Sequence, residues 1–334
     1  MTLSFLHSAG AAAAIASVLG VGASSADPIR VSYANVNANF APTFAAEDKG
    51  YFKEEGLDVE LINAPGGAAV PALISGSLQY SASTSSALSA ILKGADLKVV
   101  FVGTSRALYE LWSFDPAITT FEQVKGKSIP IAQRGGSEDL TMRVYLKNKG
   151  LPRDYVALTP LGTGPARLAA ILGGTQQLAM LTSGEKGTFK QAGLLDKGRM
   201  IVDFAKEIET QNGGLVTSAK ELAEHRDQVK KILRALWKGT IYMQAQREGM
   251  TDILQKRLPK ETRESLRSGI ESAIEDVDQD GEMSMEASAR ELAVRAELND
   301  VPPDKIPAPE KVYDFSVIRE VIAELKAENW QPRR

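Results

Sequence analysis

The feature that most constrains this chain is a pair of strand-like runs with a short helix held between them. Ile29-Arg30-Val31-Ser32-Tyr33-Ala34 reads as the first strand and Leu57-Asp58-Val59-Glu60-Leu61-Ile62 as the second. Pro42 can open the intervening helix, because a first-turn proline forfeits no intrahelical hydrogen bond. Gly50 can close it, since glycine takes the left-handed geometry common just past helix ends. Tyr51 and Phe52 would then tuck beneath the sheet while Gly56 turns the chain into the second strand. Such a unit demands parallel strands and a right-handed crossover.

The same grammar repeats downstream. Gly66-Gly67 precede a helix over 68–74 that Gly76 ends, and residues 78–83 alternate like a strand. Thr84-Ser85-Ser86 offer hydroxyl caps to a helix over 87–92, and the β-branched run at 98–103 reads as a buried strand. A second run begins near Tyr109. It has strands at 128–132, 156–161, 178–181 and 200–204, and helices at 138–148 and 166–172, with Gly135-Gly136-Ser137 and Ser183-Gly184-Glu185 as helix starts. The pattern predicts two α/β halves in tandem, each a mostly parallel sheet flanked by helices. Beyond Ser218 strand signals nearly vanish. Val229, Ile232, Leu233, Leu236, Trp237 and Ile241 recur at helical spacing, further helices are predicted at 261–277 and 285–298, and Asp314 caps a last one. This C-terminal segment reads as packing.

Composition narrows the chemistry. At 334 residues, 43% hydrophobic and 24% charged, the chain is long enough for two domains with a sizeable core. A net charge of −3 supplies no basic field for nucleic acid or an anionic membrane. The absence of cysteine excludes disulfides, thiolate nucleophiles, iron–sulfur clusters and a lipid anchor on cysteine. Only His7 and His225 are present, so a histidine-based metal centre is not expected, and His225, among Glu224, Arg226 and Asp227, reads as a solvated surface residue. No nucleophile–base pair, phosphate loop or complete dinucleotide fingerprint occurs; after Gly162-Thr163-Gly164 the third glycine position is Arg167. No catalytic residue, metal or cofactor is therefore expected.

The first 26 residues carry no Lys, Arg, Asp or Glu, and an apolar run leads to Ala23-Ser24-Ser25-Ala26. Small residues at the two positions a signal peptidase reads predict a secretory leader cleaved after Ala26, although no positive charge precedes the run. No later run approaches the ~20 apolar residues a membrane span needs, which predicts an exported, soluble mature chain without direct membrane insertion.

In open α/β sheets ligands collect outside the carboxyl ends of strands, where helix N-termini point and favour negative charge. Five small or hydroxylated corners suit that role: Asn35-Val36-Asn37, leading on to Phe40; Ser83-Thr84-Ser85-Ser86; Gly135-Gly136-Ser137; Gly162-Thr163-Gly164; and Ser183-Gly184. Each alone is an ordinary structural device, and together they converge if the halves face each other across a cleft. Arg134 and Arg106 are candidates to clamp a carboxylate or sulfonate. Tyr109 and Trp112 are candidates to wall a ligand's apolar part, and core packing accounts for them equally well. Arg167 reads as a surface residue. Glu47-Asp48 and Glu54-Glu55 read as a solvated helix face and turn, a surface for a partner rather than chemistry.

At this point Ala46-Glu47-Asp48-Lys49-Gly50-Tyr51-Phe52-Lys53-Glu54-Glu55-Gly56-Leu57-Asp58-Val59 resembles the solute-binding proteins of ABC importers, in the sulfonate, taurine, nitrate and thiamine-precursor-like family. Gly66-Gly67 with Ala72-Leu73-Ile74-Ser75-Gly76, the run Val124-Lys125-Gly126-Lys127-Ser128-Ile129, and Val312-Tyr313-Asp314-Phe315-Ser316 extend the resemblance over most of 29–330. It implies a type II two-lobe, Venus-flytrap fold, with 27–108 plus 213–334 as the first lobe and 109–212 as the second. It places a ligand at the corners already named, Asn35, Asn37, Ser83, Thr84, Ser85, Gly135, Gly136, Ser137, Thr163, Gly164, Ser183 and Gly184, beside the candidates Phe40, Arg106, Tyr109 and Arg134 read from the residues themselves. The implied function is periplasmic capture of a small anionic organic ligand, sulfonate- or carboxylate-like, by a monomer that docks on the permease and ATPase of an importer. Lobe closure about two crossovers, eased by Gly213-Gly214, would accompany capture. Alternatives are a sensory ligand-binding subunit and a binder of pyrimidine or thiamine precursors; family members that make a pyrimidine carry a cysteine-rich motif, which this chain lacks.

Overall fold

The computed structural model describes residues 27–132, 134–162 and 164–333, together with residue 1. The expected leader therefore lies, from residue 2 on, outside the described residues, as does Thr163. Strand β1 (Ile29–Tyr33) pairs in parallel with β2 (Val59–Asn63), Ile29 opposite Val59. Between them run a 3-10 turn (Ala38–Phe40), α1 (Ala41–Asp48) and α2 (Tyr51–Glu54). Pro42 stands in the first turn of α1 and Gly50 sits at φ 75°, as the sequence predicts. Tyr51 and Phe52 are buried.

Helix α3 (Gly66–Ser75), β3 (Tyr80–Ser81), α4 (Thr84–Ile91) and β4 (Leu97–Phe101) continue the first body. The chain leaves it through β5 (Thr104–Arg106) and enters the second body with β6 (Glu110–Ser113). That body contains β7 (Ser128–Ile131), α5 (Ser137–Asn148), β8 (Ala157–Pro160), α6 (Gly164–Leu172), β9 (Leu178–Leu181), α7 (Ser183–Gln191), β10 (Arg199–Asp203) and α8 (Phe204–Glu207). Strand β11 (Glu209–Asn212) returns the chain to β12 (Leu215–Ser218). Helices α9 (Ala219–Glu224), α10 (Arg226–Ala245), α11 (Arg247–Arg257), α12 (Arg263–Asp276), α13 (Met285–Leu298), α14 (Pro309–Val312) and α15 (Ser316–Ala327) complete it.

The first sheet has the order β2-β1-β3-β12-β4, and β12 is antiparallel to both neighbours while the other four strands run one way. In the second body β6 lies between β10 and β9, antiparallel to both, and β7 pairs with β8 in parallel. The reversed strand in each body is the one that follows a passage from the other. A helical crossover returns the chain to the end it left, whereas a direct passage does not, so the entering strand runs against its neighbours. The passages β5 and β11 pair antiparallel, side by side.

One core joins the first sheet to α10 and α15, and a second fills the other body. Helix α13 serves both: Ala287, Leu292 and Ala296 pack in the first core and Val294 in the second. Two expectations are corrected here. Arg167 is no surface residue but only 3% exposed. The paired acids do not simply face solvent: Glu47 and Asp48 meet Arg257 at 2.6 and 2.5 Å, while Glu54 and Glu55 meet the buried Lys238 at 3.2 and 2.5 Å. They fasten the opening unit to the C-terminal helices. The cap of α7 is Thr182, in a capping box with Glu185, one residue ahead of the expected start.

Candidate cleft site

A void of about 770 Å³, open solvent included, lies where the passage strands leave the first body. Its walls are mainly apolar, with Val31, Phe40, Phe101, Leu108, Leu236 and Met243 prominent. Local sequence explains how they gather. Asn37 accepts a hydrogen bond from the Asn39 backbone N–H at 2.9 Å and donates to Asn35 Oδ1 at 2.7 Å. This cap turns the chain after β1 and brings Asn39 and Phe40 to the void, before Pro42 starts α1. On the opposite edge Gly213 and Gly214 hold φ of 66° and 123°. A Cβ on Gly214 would lie 2.1 Å from the Phe101 carbonyl oxygen, so only glycine lets the returning chain approach β4 this closely.

Asp276, the last residue of α12, is the single charged group among the described residues lining the void. Burial pushes its carboxyl up to about 6, with Glu275 adding to the rise and Arg106 and Lys186 opposing it. The carbonyl end of the helix beneath it is also an unfavourable place for negative charge.

The corner of the second body is built differently. Arg167 lies between two carboxylates, donating from Nη1 to Glu138 and from Nη2 to Glu185, and again from Nη1 to the Met180 carbonyl at 3.3 Å. Glu138 also accepts from the Ala132 backbone N–H at 2.6 Å, and burial raises its carboxyl above the ordinary range. Tyr109 stands against Glu138, Glu185, Arg167 and Ser137, and burial drives its hydroxyl well upward. Beside it Lys186 meets Glu110 at 2.6 Å and Trp112 donates to the same carboxylate at 2.7 Å. Each cation here is already held by a carboxylate. Together they form a wall rather than a trap for an anion.

A third place collects arginines. Arg134, Arg143, Arg153 and Arg295 surround a separate depression with Gly135 and Asp139. Asp139 is held by Arg143 at 2.8 Å and by the Gly135 backbone N–H at 2.8 Å. Arg295 donates to the Ser85 hydroxyl at 2.9 Å and pairs with Glu291 at 2.8 Å, and Glu291 accepts from the Gln211 backbone at 2.8 Å. Helix α13 is thereby tied to α4 and to β11.

The residues singled out from the sequence are thus distributed over these places. Phe40 lines the void, and Asn35 and Asn37 shape its rim. Ser83 is buried near Ala82 of the void wall with no partner for its hydroxyl among the described residues, and Thr84 reaches the Gly213 carbonyl at 3.4 Å. Arg106 lies in β5 opposite Glu209 and faces Asp276. Tyr109, Gly136, Ser137, Gly164, Ser183 and Gly184 belong to the second-body corner or to the helix starts around it. Ser85, Arg134 and Gly135 are drawn instead to the arginine depression or its Arg295. Sequence reasoning missed Leu236, Thr240, Met243 and Asp276, all on helices read as packing. A carboxylate at the end of a predicted helix, against the helix dipole, was the signal available for Asp276.

Among the described residues no helix is long and apolar enough to cross a membrane. The family model described as NMT1/THI5 like matches residues 37–249. Three solved structures share the fold at low identity. The sulfonate-binding periplasmic protein SsuA of an ABC transporter from Methylobacillus flagellatus KT is 14% identical, with a TM-score of 0.71 over 91% of this chain and 97% of that one. The periplasmic aliphatic sulphonate binding protein SsuA from Escherichia coli is 18% identical, with a TM-score of 0.67 over 87% and 93%. The periplasmic nitrate-binding protein NrtA from Synechocystis PCC 6803 is 15% identical, with a TM-score of 0.62 over 90% and 89%. No curated protein matches the sequence. The fold is that of the periplasmic binding proteins.

Proposed function

This chain belongs to the NMT1/THI5-like family, and from that premise we propose that it is an extracytoplasmic solute-binding protein, which captures a small organic ligand between two lobes and hands it to an ABC importer. The observation that carries the proposal is the void at the paired passages, where a ligand can bias one lobe relative to the other. In this reading residues 27–108 and 213–334 form one lobe and 109–212 the other. A monomer reaches the periplasm after loss of residues 1–26, works without cofactor or catalysis, and meets a permease and its ATPase. The names of the sulfonate- and nitrate-binding neighbours support the transport role.

The anionic ligand expected from the sequence has weaker support. Arg106 acts on Asp276 at the void, while Arg134, Arg143 and Arg153 gather elsewhere. Apolar walls select first for an apolar body, which a cleft binds through the area it removes from water.

The test is native mass spectrometry of the exported protein as purified, beside an Ala82→Trp variant that fills the void. A small molecule released on denaturation from the wild type and missing from the variant supports capture in the cleft. A bound species retained by Ala82→Trp contradicts it.

A further inference from the structure

Resting on that reading of the void, we infer that Asp276 anchors the ligand, and that the ligand is an organic ammonium carried on an apolar body. The other acids around the interlobe space already have partners: Glu138 and Glu185 hold Arg167, and Glu110 holds Lys186. Asp276 has no ion pair within 4.0 Å among the described residues, although it faces an apolar space. The charged groups around it are Glu275 on its own helix, Arg106 on β5 and Lys186 on α7, and Lys186 is already held by Glu110 at 2.6 Å.

The geometry favours a cation over a second anion on three counts. A carboxylate closing α12 adds its charge to the negative end of the helix dipole. An anionic head group placed here would meet that field with Arg106 to offset it and a Lys186 already held by Glu110. Asp276 half-buried beside apolar walls loses hydration when a ligand covers it, and a charge-assisted hydrogen bond from an ammonium replaces what is lost. Phe40 and Phe101 supply the aromatic surface for the body of the ligand.

The experiment is calorimetric and thermal-shift titration with three probes of one shape: 1-naphthylmethylamine, 1-naphthalenemethanol and 1-naphthalenemethanesulfonate. The proteins are the wild type, Asp276→Asn, Asp276→Ser and Ala82→Trp, each first shown to unfold cooperatively. The amine is expected to bind tightest, to weaken roughly tenfold or more in both Asp276 variants, and to lose binding in Ala82→Trp. In the wild type its affinity should fall about fivefold between pH 6 and pH 5, as Asp276, held up near 6, takes a proton while the amine keeps its own. The wild-type pH profile needs no variant. Tighter binding of the sulfonate, lost in Ala82→Trp and unchanged in the Asp276 variants, overturns the ammonium and keeps the cleft. Amine binding that survives Ala82→Trp overturns the cleft reading itself. An amine that fails to bind better than the alcohol overturns the inference.

Discussion

The strand–helix corners of the two bodies use one local grammar for opposite ends. On the first lobe, β1 runs into an Asn-capped turn that leaves Asn39 and Phe40 facing an open apolar void. On the second, β7 and β9 run into α5 and α7, whose first turns carry Glu138 and Glu185 into a closed network around Arg167. Both are strand–helix corners with small or polar residues. Whether such a corner receives a ligand or satisfies itself depends on whether a buried partner of opposite charge reaches it. Arg167 reaches the second corner. No cation among the described lining residues reaches the first.

The largest effect should come from removing that partner. Arg167→Met leaves two carboxylates in a buried site, a change that typically costs about 3–5 kcal/mol, to be measured by denaturant unfolding. A small change would mean that the corner is open to water and unlike the network described.

Next comes the glycine edge of the first side. Gly214→Ala places a Cβ at a φ of 123° and against the Phe101 carbonyl, and should cost on the order of 1–3 kcal/mol by backbone strain before the clash is counted. Equal stability of Gly214→Ala and wild type in the same unfolding assay would show that this approach is not close.

A smaller and pH-dependent effect belongs to Asp276. Its carboxyl ordinarily titrates at 3.8 but is held up to about 6 in the fold. Between those values the folded chain keeps a proton that the unfolded chain has released. The stability from this group is therefore fully present below 3.8 and lost as pH rises through about 6. Thermal unfolding of Asp276→Asn and wild type should diverge in favour of the variant from pH 4 to pH 6 and run parallel above it. The opposite drift would place Asp276 in a stabilising ion pair.

Least affected should be the arginine depression. Arg134→Ala alters an exposed side chain away from the void and should change probe affinity less than twofold.

Much of the fold is legible from local pattern because its determinants are local. Pro42, Gly50 and Gly76 bound their helices where expected, and Met285–Leu298 is helical over the range its periodicity marks. The site was less legible, since its members are far apart in the chain. Phe40 could be found from the end of β1, but its neighbours Leu236, Thr240, Met243 and Asp276 arrive from helices whose apolar stripes look like packing. The paired acids were misjudged for the same reason. Glu54 and Glu55 look solvated until Lys238 and Arg234, on α10, are brought against them. Arg167 looked like a surface residue because nothing nearby in sequence shows that Glu138 and Glu185 enclose it.

The central claim, that the apolar first-lobe side receives the ligand, is tested most directly by one pair of calorimetric titrations with 1-naphthylmethylamine at pH 7.5. Ala82→Trp should abolish binding while Arg134→Ala binds within twofold of the wild type. Binding retained by Ala82→Trp and lost in Arg134→Ala would contradict the account and move the site to the arginine depression.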